Sequence, residues 1–364
     1  MWWNQHSSMQ NLVDRLNVNS GVGFRDMKKR IFYFAVPISV FIIGFITLDI
    51  LLGSLYSPSV KYYRKPHDYY HHDLVPNVSN VYLKWANQIY KFSTNSLGFR
   101  DSLSRNISNH NDKYRIILIG DSFTEAVGVD WDDSFAGILF NRLKNRGIEI
   151  LNAGVIGYSP RIYYLKTEYL LNVQKLKFDE LFVFIDISDI NNEHLYQNYK
   201  PKSFVSLLIQ YVSRYSFVLR KIRQPPALSV IQGIPFANDL NKNYDFPIGD
   251  WQINDPKIQK GFKLGIYNML QLVKLCREHK IKLRIVVYPW QNNIGYTNHL
   301  HESTWQAFAT THKVDFISLF PDFAEACNYD GKFCSDFFIP LDAHWSVAGH
   351  KFVANKILKV ILKN

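Results

Sequence analysis

The segment RIILIGDSFTEAVGV places Gly120-Asp121-Ser122 directly after an apolar run that reads as a strand. A serine where a parallel strand gives way to a loop or helix faces the crevice in which open α/β sheets bind ligands. Its hydroxyl attacks an acyl carbonyl once a base removes the proton. Far along the chain, IPLDAHWSVAGHK supplies Asp342 and His344 in a turn ahead of the last helical stretch. The imidazole can be that base and the carboxylate can orient it, provided the fold returns this turn to the serine. Taken singly, neither signal is specific. An isolated Gly-Asp-Ser also fits a helix-capping serine, and an Asp-x-His pair also fits a surface turn or two metal ligands.

The elements that must position these residues follow from the hydrophobic texture. From Tyr114 onward, RIILIG, IEILNAG, LFVFIDI, LRIVVYP and VDFISLF alternate with stretches of helical period near 134–145, 161–173, 257–279 and 301–311, and an amphipathic run at 349–362 closes the chain. Such alternation predicts a parallel sheet with helices on both faces. Residues 191–255, with PP, GIP and FPIGDW, interrupt the pattern and read as an insertion or lid within a domain spanning 111–364; a connection of that length is unusual in a compact domain. Residues 57–110 form a polar, Tyr- and His-rich lead-in of short strands and turns, with Asn95 and Gly98 at tight bends.

Residues 31–56, IFYFAVPISVFIIGFITLDILLGSLY, match the roughly 20 apolar residues that span a bilayer. Pro37 and Asp49 interrupt the run; the aspartate lies near the far end, where partial hydration is expected. Arg25, Lys28, Lys29 and Arg30 precede the span. The positive-inside tendency then predicts a single-pass membrane protein, with a cytoplasmic tail at 1–30 and everything after Tyr56 extracytoplasmic, periplasmic or at the cell surface. The formal charge of +11 is spread along 364 residues without dense basic tracts, so nucleic acid is excluded as the expected partner. The expected partner is instead the lipid bilayer. Cys327 and Cys334 bracket CNYDGKFC, where export permits a local disulfide; two free thiols fit the spacing equally well.

Read together, four blocks stand in the order of the SGNH/GDSL hydrolase superfamily, and over residues 95–362 the chain resembles its bacterial membrane-anchored esterase and O-acetyltransferase-like members. Gly120-Asp121-Ser122-Phe123-Thr124 resembles the nucleophile block. NAGVIGYS at 152–159 resembles the second block, with Gly157 at the glycine whose N–H serves the oxyanion. DISDINN at 186–192 stands for the third, and Asp342-Ala343-His344 for the last. STNSLGFRD is similar to the lead-in that such members carry. The resemblance implies a three-layer flavodoxin-like parallel sheet and a seryl-acyl intermediate. Ser122 would be the nucleophile, His344 the proton shuttle and Asp342 its orienting carboxylate. The oxyanion hole would comprise the N–H groups of Ser122 and Gly157, and it implies no metal and no organic cofactor. Ser188-Asp189 stands where the family has Asn-Asp, so the third donor is Ser188, or Asn191 or Asn192 through a shift of the loop. Trp345 makes the last block Asp-x-His-Trp, similar to alginate-type O-acetyltransferases, in which that pair precedes the serine.

The leading expectation is an esterase or O-acyltransferase acting on acyl, especially acetyl, esters of a cell-surface glycan, with an acyl donor or an ester as its other partner. A lipid or small-ester hydrolase, and a non-catalytic glycan-binding or assembly protein on the same fold, are the alternatives. The motifs do not specify the acyl donor, the choice between water and a sugar hydroxyl, or the oligomeric state. Tyr288-Pro289-Trp290-Gln291 ends a strand on the same rim and reads first as packing, second as an acceptor site. His71, His72, His299 and His301 lack the accompanying carboxylate or cysteine pattern of a metal site, and GVGF at 21–24 has no strand ahead of it to make a phosphate loop.

Overall fold

The computed structural model describes residues 32–52, 63–110, 112–199, 216, 218, 255–295 and 299–363. The tail at 1–30 and most of the expected lid lie outside them. The chain divides into two compact units, Met1–Ser59 with Ser203–Val230, and Val60–Lys202 with Ile231–Asn364.

In the first unit, α1 (Phe32–Leu52) runs for 21 residues at a mean hydropathy of 2.4 and is long and apolar enough to cross a membrane. Its phenylalanines and isoleucines are exposed on all sides, unlike those of a helix with one core-facing stripe. Asp49 is not left to solvent: it is buried and accepts a hydrogen bond from Val218 N–H at 2.8 Å.

The second unit is built on a parallel sheet of β5 (Tyr114–Ile119), β6 (Ile148–Asn152), β7 (Glu180–Ile185), β8 (Lys282–Val287) and β9 (Asp315–Ser318), ordered β6-β5-β7-β8-β9. Successive side chains of a strand point to opposite faces, and the core divides accordingly. Ile117, Ile119, Val183, Ile185 and Ile285 pack on one side with α4 (Pro160–Glu168), α6 (Pro256–Glu278) and α7 (Leu300–Thr311). Ile116, Leu118, Phe182, Phe184 and Val286 pack on the other with α3 (Phe135–Leu143) and α9 (Val347–Leu362). The result is a three-layer α/β arrangement, and the central strand β7 is buried at every position. In chain order the sheet reads 2-1-3-4-5, which puts the topological switch between β5 and β7.

Two short helices interrupt the expected pattern. Part of the segment read as a lid is α5 (Asp189–Tyr196), which packs on α4 and α6; α8 (Phe320–Ala326) follows β9. The lead-in forms two hairpins, β1 (Arg64–His67) with β2 (His71–Leu74), and β3 (Val81–Trp85) with β4 (Gln88–Phe92). Both belong to the same compact unit as the sheet. Buried Lys166 of α4 ties β2 down through Asp73 (2.9 Å) and Tyr158 (3.1 Å).

Candidate active site

Ser122 opens the four-residue helix α2 (Ser122–Glu125) at the end of β5, on the β7 side of which the strand order reverses. Asp121 caps this helix, accepting from Phe123 N–H at 3.0 Å, and Ala126 ends it with a left-handed φ of 62°. Thr124 is wedged between two glycines. A Cβ on Gly120 would meet Thr124 Oγ1 at 2.1 Å, and one on Gly154 would meet Thr124 Cβ at 2.6 Å. The Ser122 turn and the loop after β6 therefore approach as closely as backbone allows, and Asn152 bridges them by donating to Thr124 O (2.7 Å) and accepting from Gly154 N–H (3.0 Å).

The loop before α9 returns to this rim. Ser122 Oγ lies 2.7 Å from His344 Nε2, and His344 Nδ1 lies 2.5 Å from Asp342 Oδ1, which also accepts His344 N–H at 2.9 Å. With the proton on Nδ1, the imidazole donates to Asp342 and its Nε2 accepts the serine hydroxyl. Burial opposes ionisation of Asp342, but the hydrogen bonds from His344 and Trp85 outweigh it and hold this carboxyl below its ordinary range. Phe123 stacks on the imidazole at 4.7 Å, and Trp345 packs beneath against Phe123, Tyr288 and Phe323. Cys327 and Cys334 form a disulfide in the same apolar cluster, with Cα atoms 5.1 Å apart.

Gly157 adopts φ 77°, a conformation that L side chains resist. Its carbonyl accepts from Tyr196 at 2.8 Å, while its N–H and that of Ser122 meet no protein acceptor among the described residues. Ser188 donates its backbone N–H to Asp186 at 2.6 Å. Asn192 lies one turn further along α5 and one turn before Tyr196, on the face that meets the Gly157 loop. It is 6% exposed, and its Nδ2 has no partner among the described residues. Asn191 is exposed.

Behind the serine, the carboxylates of Asp121, Asp186 and Asp189 bring oxygens within 4.8 Å of one another. Tyr288 donates to Asp121 (3.2 Å), Trp290 to Asp186 (2.8 Å) and Tyr163 to Asp189 (2.8 Å), and Ser122 Oγ lies 3.3 Å from Asp121. Burial, and after it the charge of Asp186, push the Asp121 carboxyl well above its ordinary range; burial raises Asp186 and Asp189 as well. Tyr288 and Trp290 thus hold carboxylates beside Ser122.

Several residues that position the site lie outside the four blocks. Glu125 is fully buried, accepts Ile156 N–H at 2.7 Å and pairs with Arg64 of β1 at 2.9 Å. Arg100, in the lead-in STNSLGFRD, donates to the carbonyls of Glu125, Ala126 and Val129. Trp85 donates to Asp342 Oδ2 at 3.1 Å. The four histidines considered as ligands are placed as packing groups: His72 meets Ile156 O (2.9 Å) and His71 (2.8 Å), His301 meets Ile185 O (3.0 Å), and His299 packs on Phe320. A cavity of about 930 Å³ lined by Lys113, Lys175 and Lys177 lies at the opposite ends of the strands from Ser122.

No protein-family model and no curated protein matches the chain. Solved structures similar to it include the acetyl xylan esterase AlAXEase, at 16% identity and a TM-score of 0.39, covering 68% of this chain and 99% of that one. An acetyl-xylooligosaccharide esterase variant from Geobacillus shows 15% identity and a TM-score of 0.40, over 68% and 93%. The psychrotrophic esterase EstA from Pseudoalteromonas shows 12% and 0.40, over 69% and 100%.

Proposed function

We propose that this chain, whose fold is of the SGNH/GDSL hydrolase type, is a serine esterase or O-acyltransferase held at a membrane by α1, acting on acetyl or other acyl esters of a cell-surface glycan. The observation that carries the chemistry is the chain of contacts from Ser122 Oγ to His344 Nε2 at 2.7 Å and from His344 Nδ1 to Asp342 at 2.5 Å. As Ser122 Oγ bonds to the acyl carbon, its proton passes to His344 Nε2, and Asp342 stabilises the imidazolium that forms. The ester C–O bond then breaks and the same proton goes to the departing alcohol oxygen. An acceptor hydroxyl, of water or of a sugar, then gives its proton to His344 as its oxygen bonds to the acyl carbon; the acyl–Ser122 bond breaks and His344 returns that proton to Ser122 Oγ.

Charge on the carbonyl oxygen would be met by the N–H groups of Ser122 and Gly157. For the third donor we assign Asn192 Nδ2, which is buried, without a partner among the described residues, and on the side of α5 that meets the Gly157 loop. The glycan assignment rests on the apolar helix and its basic flank, which would place the active unit outside the cell.

A fluorophosphonate probe should label Ser122, and Ser122→Ala and His344→Ala should each abolish labelling and hydrolysis of an aryl acetate, with the double variant little worse. Full activity of Ser122→Ala would sink the reading. Acetyl transfer to a polysaccharide acceptor, measured against release into water, separates transferase from esterase. For topology, a reporter that works only after export, fused at Asn364, should be active; one that works only in the cytoplasm should be silent.

A further inference from the structure

We propose that Trp85, at the tip of the β3–β4 hairpin, is a positioning residue for the Ser122–His344–Asp342 relay, which makes the lead-in between α1 and the sheet part of the catalytic apparatus. The inference rests on the esterase reading above. Asp342 has two oxygens and they are held by different groups. Oδ1 faces His344 through both its backbone N–H and Nδ1, while Oδ2 accepts Trp85 Nε1–H at 3.1 Å. A carboxylate tethered at both oxygens does not rotate, so the lone pair offered to His344 keeps its direction. The indole also meets the imidazole edge-on, with centroids 5.0 Å apart at 82°.

The donor's chemistry suits the task. An indole N–H is neutral and has no proton to exchange at working pH. It fixes the carboxylate without cancelling the charge that must stabilise the imidazolium; a lysine or arginine there would compete with His344 for it. The hairpin that carries the indole is itself held in place. Trp85 pairs with Gln88 across a two-residue turn, and Asp130, just past the nucleophile helix, accepts Lys91 N–H at 2.6 Å. Gly128 packs beside the indole: a Cβ there would press on Ile339 Cδ1 at 2.6 Å and sit in ordinary contact with Trp85 Cδ1 at 3.5 Å. Farther back in the lead-in, Arg64 and Arg100 hold the carboxylate and carbonyl of Glu125, so the same segment grips the nucleophile turn.

The test uses the full chain in detergent and two readouts, the rate of fluorophosphonate labelling at Ser122 and kcat on an aryl acetate. Trp85→Phe should slow both by roughly 10- to 100-fold with KM nearly unchanged, the loss expected for one hydrogen bond to a charged group. In an Asp342→Ala background the same substitution should cost less than about twofold, because the N–H then has no carboxylate to hold. Equal losses in both backgrounds would mean a packing role and overturn the proposal. Benzothienylalanine at position 85 keeps the bicyclic shape and removes only the N–H; it should reproduce the Trp85→Phe loss, and it decides the matter if Trp85→Phe does not fold. Wild-type rates for that analogue, with Ser122→Ala inert, overturn the role of Trp85 alone. Absence of labelling in the wild-type chain overturns the esterase reading instead.

Discussion

Gly154→Ala is the sharpest probe of how the site is assembled. The added methyl would lie 2.6 Å from Thr124 Cβ and Cγ2 and 2.8 Å from Glu125 N. Thr124 is fully buried against Gly120 on its other side, so its side chain has nowhere to turn. Ordinary van der Waals contact begins at 3.4 Å, so the nucleophile turn and the loop after β6 must part by about 0.8 Å. That loop carries Gly157, and the turn carries Ser122, so the proposed Gly157 donor separates from the attacking oxygen by a comparable amount. A misplacement near 1 Å costs about 10²-fold, and sharing the strain between both segments brings the expected loss in kcat to roughly 10- to 100-fold. Overpacking should also destabilise the fold by about 1–3 kcal/mol, a drop of several degrees in Tm for a unit of this size. Gly265→Ala is the control. On α6 its methyl would meet Trp305 and Pro160 at 3.5–3.6 Å, ordinary contact, and replacing a helical glycine should raise stability by about 0.5–1 kcal/mol. The assay is kcat on an aryl acetate well below either melting point, with thermal unfolding in parallel. If Gly154→Ala keeps both wild-type kcat and Tm, the close approach of these segments does not position the nucleophile.

Asn192→Ala should lower kcat by about 10²–10³-fold with little change in KM, while stability holds or rises because a buried donor without a partner is removed; Ser188→Ala should have the smaller kinetic effect, and the reverse ranking would transfer the oxyanion role to Ser188. Burial lowers the His301 pKa to about 4, below the roughly 6.5 of an unfolded histidine. As pH falls, the unfolded chain therefore binds this proton first, and stability present above about pH 6.5 is lost toward pH 4, at up to about 1.4 kcal/mol per unit. The unfolding free energy of His301→Gln should accordingly fall less steeply over that window, and parallel curves would contradict the assignment. Closing the eight-residue segment from Cys327 to Cys334 should contribute about 2.5 kcal/mol by restricting the unfolded chain. Reductant should lower Tm in the purified protein and leave a Cys327→Ala/Cys334→Ala variant unaffected. Cys276, buried and with its thiol pushed up to about 12, should resist alkylation until the chain unfolds.

The parallel sheet, the candidate triad and the apolar helix follow from local pattern. Runs such as LFVFIDI are apolar at successive positions because β7 is covered on both faces, and that burial is written residue by residue. The helix expected at 349–362 is Val347–Leu362, capped by Ser346, since an amphipathic stripe and a capping serine are also local. Ser122, Asp342 and His344 were recognisable as residue types in a familiar order, although the hydrogen bond between serine and histidine joins positions 222 residues apart.

Other elements left no such trace. In α5, DINNEHLY has few apolar residues, and it is held by polar bonds from Glu193 to Ser159 and Asn268 and from Tyr196 to Gly157, so its helical period is not a hydrophobic one. The pairing of Trp85 with Asp342 spans 257 residues, and that of Arg64 with Glu125 spans 61. A hydrogen bond between distant positions imposes no spacing on the sequence; it exists only because the hairpin, the nucleophile turn and the last loop close on one rim. The same holds for the candidates for a third oxyanion donor. Sequence leaves Ser188, Asn191 and Asn192 open; only the fold gives the Ser188 N–H to Asp186, exposes Asn191 and buries Asn192 with its amide donor unpaired among the described residues.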